Sequence, residues 1–368
     1  MNYRIQLTKP SITQKEQDEM ARAVSSTWVS SQSPWVDKFE RLFAKKISHT
    51  KYGVSLNSGT SALFLALKAL GIGPGHEVIT PTFTMIATIN AIVWTGAKPV
   101  LVDCASKEDW NMDVSNLEKL ITPKTKAIMP VHIYGHMSNM KEINRVAKKY
   151  SLAVIEDAAE AMGSEYFGKR AGALSTISCF SLYANKIITA GNGGMLCTND
   201  KRIYNLVKKL AFFDFNEKTH FKHLLFGYNL VLSGIQSALG YAQTKRFEAL
   251  LMYRRKVQRW YRKHIKSNSV HVVEPGEGQN PNYWFPAILF NSPSLKKRTV
   301  RALESKRIET RDFFVPAHQQ PIYKGVFSPR TFPHADYFLN HGLLLPSYFD
   351  MQEAHVIEIA KIITKTTQ

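Results

Sequence analysis

Ser178-Cys179-Phe180-Ser181-Leu182-Tyr183-Ala184-Asn185-Lys186-Ile187-Ile188-Thr189-Ala190-Gly191-Asn192-Gly193-Gly194-Met195 reads as two strands joined by a glycine-rich turn. The first run, Thr176 to Tyr183, carries a serine and gives way to a lone lysine. A lysine at the exit of a buried strand loses hydration. With a cation nearby, its ammonium pKa falls and its amine becomes a nucleophile able to form a Schiff base. A strand-end lysine is also an ordinary surface residue. The choice therefore depends on what stands at matching places in the rest of the chain.

Working outward, apolar runs and helical stretches alternate. Glu77–Thr80, Pro99–Asp103, Ala127–Val131 and Leu152–Asp157 read as short buried strands. Thr60–Leu70, Met85–Trp94, Val114–Ile121 and Asn139–Lys149 read as helices. This order predicts an α/β domain with a largely parallel sheet and a ligand at the carboxyl ends of its strands. The link between Thr176–Tyr183 and Gly194–Thr198 is too short for a helix, so that pair is expected to be antiparallel. After about residue 245 a long basic helix and shorter pieces follow, punctuated by Pro281, Pro286, Pro316 and Pro321. The expected division is a large domain over 1–245 and a smaller one over 246–368.

Composition excludes several classes. The chain has 368 residues, 44% of them hydrophobic, which suits a packed globular protein. No run reaches the ~20 apolar residues of a membrane span, and Met1–Gln6 lacks a signal-peptide core. Cys104, Cys179 and Cys197 fit neither a disulfide framework nor a metal spacing, so the expectation is a reducing, cytoplasmic setting with no metal. The net charge of +19 is spread along the chain. Its densest run, Arg254 to Lys263, is interleaved with Val257, Trp260 and Tyr261 at helical spacing, which predicts basic residues on a solvated helix face. The charge favours anionic ligands in general, and no nucleic-acid partner follows from it.

Four further features stand where a phosphate-bearing cofactor would need them. Asn57-Ser58-Gly59-Thr60-Ser61-Ala62 opens an apolar helix, and a helix start with hydroxyls is a phosphate site as well as a plain cap. Asp157, at a strand end, can pair with a protonated pyridine nitrogen or simply cap a following helix. Ser181 stands five residues before Lys186, within reach of the same phosphate. Gly227-Tyr228-Asn229 precedes the helical segment Ser233–Arg246, where an asparagine is otherwise a turn residue.

On these motifs the chain resembles the DegT/DnrJ/EryC1/StrS family of sugar aminotransferases. Also matching are Thr27–Ser31, Val78–Thr84, Pro130–His136, Glu156–Gly163, Ile308–Arg311 and Leu345–Ser347. The perosamine-synthase branch is the most similar. The resemblance implies a pyridoxal 5'-phosphate transferase of fold type I, aspartate aminotransferase-like, with a mainly parallel mixed sheet and a smaller C-terminal α/β domain. It makes Lys186 the Schiff-base lysine and proton shuttle, and Asp157 the partner of the pyridinium nitrogen. Glu160 would align the ring by its phenolic oxygen. Gly59, Thr60, Ser61 and Ser181 would hold the phosphate, with Asn229 reaching over from a second subunit of a homodimer. Arg311 and His318 match the nucleotide-sugar side.

The implied reaction moves an amino group from L-glutamate, through the pyridoxamine 5'-phosphate form, to C4 of a nucleotide-linked 4-keto-6-deoxyhexose. Related 3-dehydrases carry histidine at the Schiff-base position, so Lys186 speaks against that activity. A viosamine-type 4-amino transfer on a UDP- or dTDP-sugar, or a 3-amino transfer, stays open. A nucleic-acid binder that kept the fold has only the charge in its favour. Two departures stand out. Met85 occupies the place of an aromatic ring cover, with Phe83 as a substitute cover, and Val231 replaces a common arginine. The loop Phe212–Phe226 is unusual as well.

Overall fold

Strand and helix alternate as the apolar pattern demands in the computed structural model, which describes residues 3–215, 221–327 and 330–368. Helices α1 (Gln14–Ser25) and α2 (Pro34–Phe43) precede the first strand. There follow β1 (Tyr52–Leu56), α3 (Gly59–Ala69), β2 (Glu77–Pro81), α4 (Ile86–Trp94), β3 (Lys98–Val102) and β4 (Thr125–Ile128). Next come α5 (Met140–Lys149), β5 (Ala153–Asp157) and a small hairpin of β6 (Glu165–Tyr166) and β7 (Lys169–Arg170). Finally β8 (Ile177–Ser181), β9 (Gly194–Thr198) and α6 (Lys201–Ala211) complete this part.

The main sheet has the order β1-β9-β8-β5-β4-β2-β3. Only β9 runs against the rest: it pairs antiparallel with both β1 and β8, and the other pairings are parallel. The β8–β9 pair is thus antiparallel as expected, with Ser181 opposite Gly194. Alternation along β8 explains how the sheet is buried on both faces. Ile177 and Cys179 pack with Leu63, Ala66 and Leu196 on one side, and Phe180 packs with Phe43, Met195 and Phe247 on the other. All three cysteines are free and buried, packed as small hydrophobes.

The glycine turn has a steric cause. A Cβ on Gly194 would stand 2.3 Å from the Ser58 carbonyl oxygen, so only glycine lets β9 pass the entry of α3. The lysine of this segment lies beyond the strand: β8 ends at Ser181, and the Lys186 N–H donates to the Tyr183 carbonyl at 2.9 Å.

Helices α7 (Gly234–Lys245) and α8 (Phe247–His264) lead to a second, four-stranded antiparallel sheet. It is made of β10 (Val270–Val272), β12 (Ala287–Phe290), β13 (Arg311–Asp312) and β14 (Gly342–Leu344), in the order β10-β12-β14-β13. A short β11 (Gln279–Asn280) pairs instead with β6. Helices α9 (Pro293–Ser305), α10 (Pro333–His341) and α11 (Glu353–Thr367) complete the chain. The N-terminal segment joins this second sheet's surroundings, because the N–H groups of Arg4 and Ile5 donate to the Arg307 carbonyl.

Two expectations fail here. Val114–Ile121 forms only a 3-10 turn, Leu117–Leu120. The Asp113 carboxylate accepts the Ser115 N–H at 2.8 Å, a local bond that competes with a helix start, and Pro123 follows closely. The basic run is not wholly solvated either. Arg254 falls on the same stripe of α8 as Leu250, Val257 and Tyr261 and is 5% exposed. Its guanidinium donates to the carbonyls of Trp284 and Ser347, and burial brings its pKa down to about 10.

Candidate active site

The carboxyl ends of β2, β5 and β8 open on one cavity of about 450 Å³. Of the expected residues, Gly59, Thr60, Met85, Asp157, Glu160, Ser181, Lys186 and Arg311 line it. This is the place where a parallel sheet leaves room for a ligand.

Asp157 ends β5 and is buried at the cavity wall. The Thr88 hydroxyl, one turn into α4, donates to its Oδ2 at 2.7 Å, and the Ala159 N–H donates to Oδ1 at 3.2 Å. No helix follows, so Asp157 caps only a turn. Burial pushes its carboxyl above the usual range, while Thr88, the Ala159 N–H and the Lys186 cation pull it back. Behind it, His132 and Glu156 form a fully buried pair at 2.9 Å. His132 Nδ1 accepts the Ser138 N–H at 3.2 Å, so its proton sits on Nε2 and is donated to Glu156.

Glu160 is also buried, and its Oε2 accepts the Tyr134 N–H at 2.7 Å. Lys186 faces both carboxylates. Burial drives the Lys186 ammonium below the ordinary lysine range; Glu160 and Asp157 oppose the shift and the Arg311 guanidinium adds to it. The same burial drives the Glu160 carboxyl upward. Desolvation and a neighbouring cation, the two causes expected from sequence, are thus both in place.

At the other end of the cavity Gly59 and Thr60 begin α3, where backbone N–H groups have no intrahelical acceptor. A Cβ on Gly59 would stand 3.2 Å from the Ser181 Cβ, so glycine keeps this cradle open between helix and strand. Ser61 does not line the cavity. Its hydroxyl donates to Asn57 Oδ1 at 2.6 Å and its N–H to the capping Ser58 Oγ, which makes it part of the cap. Among these residues a planar, phosphate-bearing ring with a basic nitrogen and an aldehyde fits the donors present: a helix start, a buried acid and a buried amine.

Other expected residues lie elsewhere too. Asn229 is exposed and pairs with Phe212, away from its own chain's cavity. His318 has both ring nitrogens engaged, Nδ1 with the Thr82 hydroxyl at 2.8 Å and Nε2 with Asp336 at 2.9 Å. Phe83 is fully buried among Tyr134, Phe313, Phe314 and Phe338, which rules it out as a ring cover; Met85 is half exposed in the cavity. Val231 pairs with Leu56 and lines a separate groove with Trp28 and Lys208. Residues 216–220 of the unusual loop lie outside the described residues.

Sequence reasoning missed Thr88, Asn282, Trp284 and Phe314. The last two line the cavity from the far end of the chain. The aromatic cluster Tyr283-Trp284-Phe285 just before β12 was the available signal.

The sequence profile of the DegT/DnrJ/EryC1/StrS aminotransferase family matches residues 10–364. The chain is similar to the GDP-perosamine synthase of Escherichia coli O157:H7, 40% identical with 99% of each chain covered. It is also similar to that of Caulobacter vibrioides, 36% identical over 96% of this chain and 95% of the relative. Among solved structures, S. venezuelae DesV in complex with a ketimine intermediate superposes with a TM-score of 0.91. That pair is 29% identical, covering 96% of this chain and 95% of DesV.

Proposed function

The chain belongs to the DegT/DnrJ/EryC1/StrS aminotransferase family, and from that premise we propose a pyridoxal-phosphate aminotransferase of the perosamine-synthase kind. It moves an amino group from L-glutamate to C4 of a nucleotide-linked 4-keto-6-deoxyhexose. The relatives' shared name, GDP-perosamine synthase, favours GDP-4-keto-6-deoxymannose as the acceptor. The observation that carries the reading is the convergence of Lys186, Asp157 and the start of α3 on one cavity.

When bound, the cofactor supplies an aldehyde and a ring that withdraws electrons from the reacting carbon. The chain's residues do the rest. Gly59, Thr60 and Ser181 would hold the phosphate, with Ser61 shaping the helix cap through its bonds to Ser58 and Asn57. Asp157 would keep a proton on the ring nitrogen, Glu160 would help to align the ring, and the Met85 thioether would supply an apolar cover for it. The Lys186 Nζ would hold the cofactor through its aldehyde and, as the free amine, would remove the proton at the donor's α-carbon in the first half-reaction and deliver one to sugar C4 in the second. Arg311, at the cavity edge and 3.9 Å from Glu309, is the cation for an anionic substrate group. His318 acts only through Thr82.

The same reading makes the enzyme a homodimer with shared sites. Its support is Asn229, set beside an exposed apolar run in which Phe221 and Leu224 are each 85% and Phe226 98% exposed. The reading divides the chain at 245/246 and assigns the free cysteines to a reducing cytoplasm. No helix among the described residues is long and apolar enough to cross a membrane.

The test is direct. Purified protein with cofactor should show the visible absorbance of an imine, and Lys186→Ala should lose both that band and turnover. With L-glutamate, GDP-4-keto-6-deoxymannose should be aminated at C4 in preference to UDP- or dTDP-4-keto-6-deoxyglucose. A band retained in Lys186→Ala would overturn the assignment of the lysine; preferred use of the other nucleotides, or amination at C3, would overturn that of the substrate.

A further inference from the structure

Trp284 reaches the cavity from the segment between β11 and β12, far from Lys186 in sequence. The Lys186 Nζ lies 3.5 Å from the centroid of its ring. The indole N–H donates at 2.8 Å to the carbonyl of Asn185, the residue just before the lysine. One side chain therefore grips both the amine and the backbone that carries it.

The tryptophan is itself held. Its backbone N–H donates to Asn282 Oδ1 at 2.8 Å, and the Asn282 side-chain amide donates to the Glu160 and Met162 carbonyls at 2.8 and 3.0 Å. The Asn282 backbone N–H donates to the Ser164 hydroxyl oxygen at 3.0 Å, and that hydroxyl donates to the Gly135 carbonyl at 2.6 Å. Gly135 has φ +90°, and a Cβ there would stand 2.0 Å from Asn282 Oδ1, so the fit leaves no slack. Below, Arg254 holds the Trp284 carbonyl.

We propose that Trp284 is a positioning residue for the Schiff-base lysine: its ring face seats the Lys186 amine, and its N–H fixes the turn that presents it. The proposal rests on the reading of Lys186 given above. The charged groups around the amine are the Asp157 and Glu160 carboxylates and the Arg311 guanidinium. A tryptophan face attracts an ammonium through the ring quadrupole, most strongly where water is excluded. The ring thus favours the protonated amine and counters the effect of burial, so that its loss makes deprotonation easier.

The test uses the cofactor-free protein, so that it does not depend on catalysis. Reductive methylation with formaldehyde and cyanoborohydride is followed at Lys186 by peptide mass spectrometry from pH 6 to pH 10. In Trp284→Leu the midpoint should fall by roughly 0.5–1 pH unit, which is about 3- to 10-fold more labelling at pH 7 relative to the plateau. Trp284→Phe keeps a ring face and should stay near the wild-type midpoint while imine formation with added pyridoxal 5'-phosphate slows. Coincident midpoints for Trp284→Leu and wild type would overturn the proposal. Should the leucine variant not fold, NMR of wild-type protein carrying 13C-dimethyl Lys186 decides. Methyl signals moved upfield by the ring current support the contact, and undisplaced signals overturn it. Failure of the lysine assignment would show separately, as no imine at Lys186 in wild type.

Discussion

At the scale of single residues, the proposed chemistry depends on how readily the buried Asp157 carboxyl gives up its proton. Burial favours the neutral acid, and the Thr88 hydroxyl is one of the groups that oppose it. Thr88→Val keeps the shape and removes the donor. We expect kcat to fall by about 10-fold, the worth of one hydrogen bond to a charged group, with KM for the sugar nucleotide little changed. The acid limb of the kcat profile should move to higher pH, because the carboxylate then takes its proton more readily. A profile that overlays wild type would refute this. Asp157 and the turn before α3 were legible in the chain because each sits at a strand or helix end, which local pattern marks, and Lys186 because it stands in the short glycine-rich link between two strands. Thr88 was not: a threonine in an apolar helix carries no sign of the carboxylate it will meet.

At the scale of elements, α8 shows where periodicity stops being enough. Spacing correctly predicts a helix with one apolar stripe, yet Arg254 falls inside that stripe and serves two backbone carbonyls. Arg254→Met should fill the space but leave the Trp284 and Ser347 carbonyls without a donor, at about 2–4 kcal/mol. A urea midpoint equal to wild type would count against this account. The hairpin of β8 and β9 was readable because a short link forbids a parallel pair and because the glycines cluster where α3 enters. The failed helix at Val114–Ile121 lacked length, and its Asp113 offered a local bond that no periodicity count weighs.

At the scale of the whole molecule, stability should fall on mild acidification. Burial, with Arg262 adding to it, brings the His136 pKa down to about 3 from an ordinary 6.5. Between those values the unfolded chain binds a proton that the folded chain refuses. Stability from this group is therefore complete above pH 6.5 and declines as the pH drops toward 3, at up to about 1.4 kcal/mol per pH unit. Unfolding midpoints from pH 7 to pH 5 should show the decline, and His136→Asn should flatten it even if it lowers the plateau. An unchanged slope in that variant would sink the claim.

The sequence by itself determined the alternating α/β order, the antiparallel hairpin, and where Lys186, Asp157 and the turn before α3 fall along the strands and helices, because each is set by contacts along a few residues of chain. Only the tertiary structure decided that Trp284 would seat the lysine, that Arg254 would be buried, and that His318 would spend both nitrogens away from the cavity. Those outcomes depend on which surfaces pack together across hundreds of residues, and no local period or spacing encodes that.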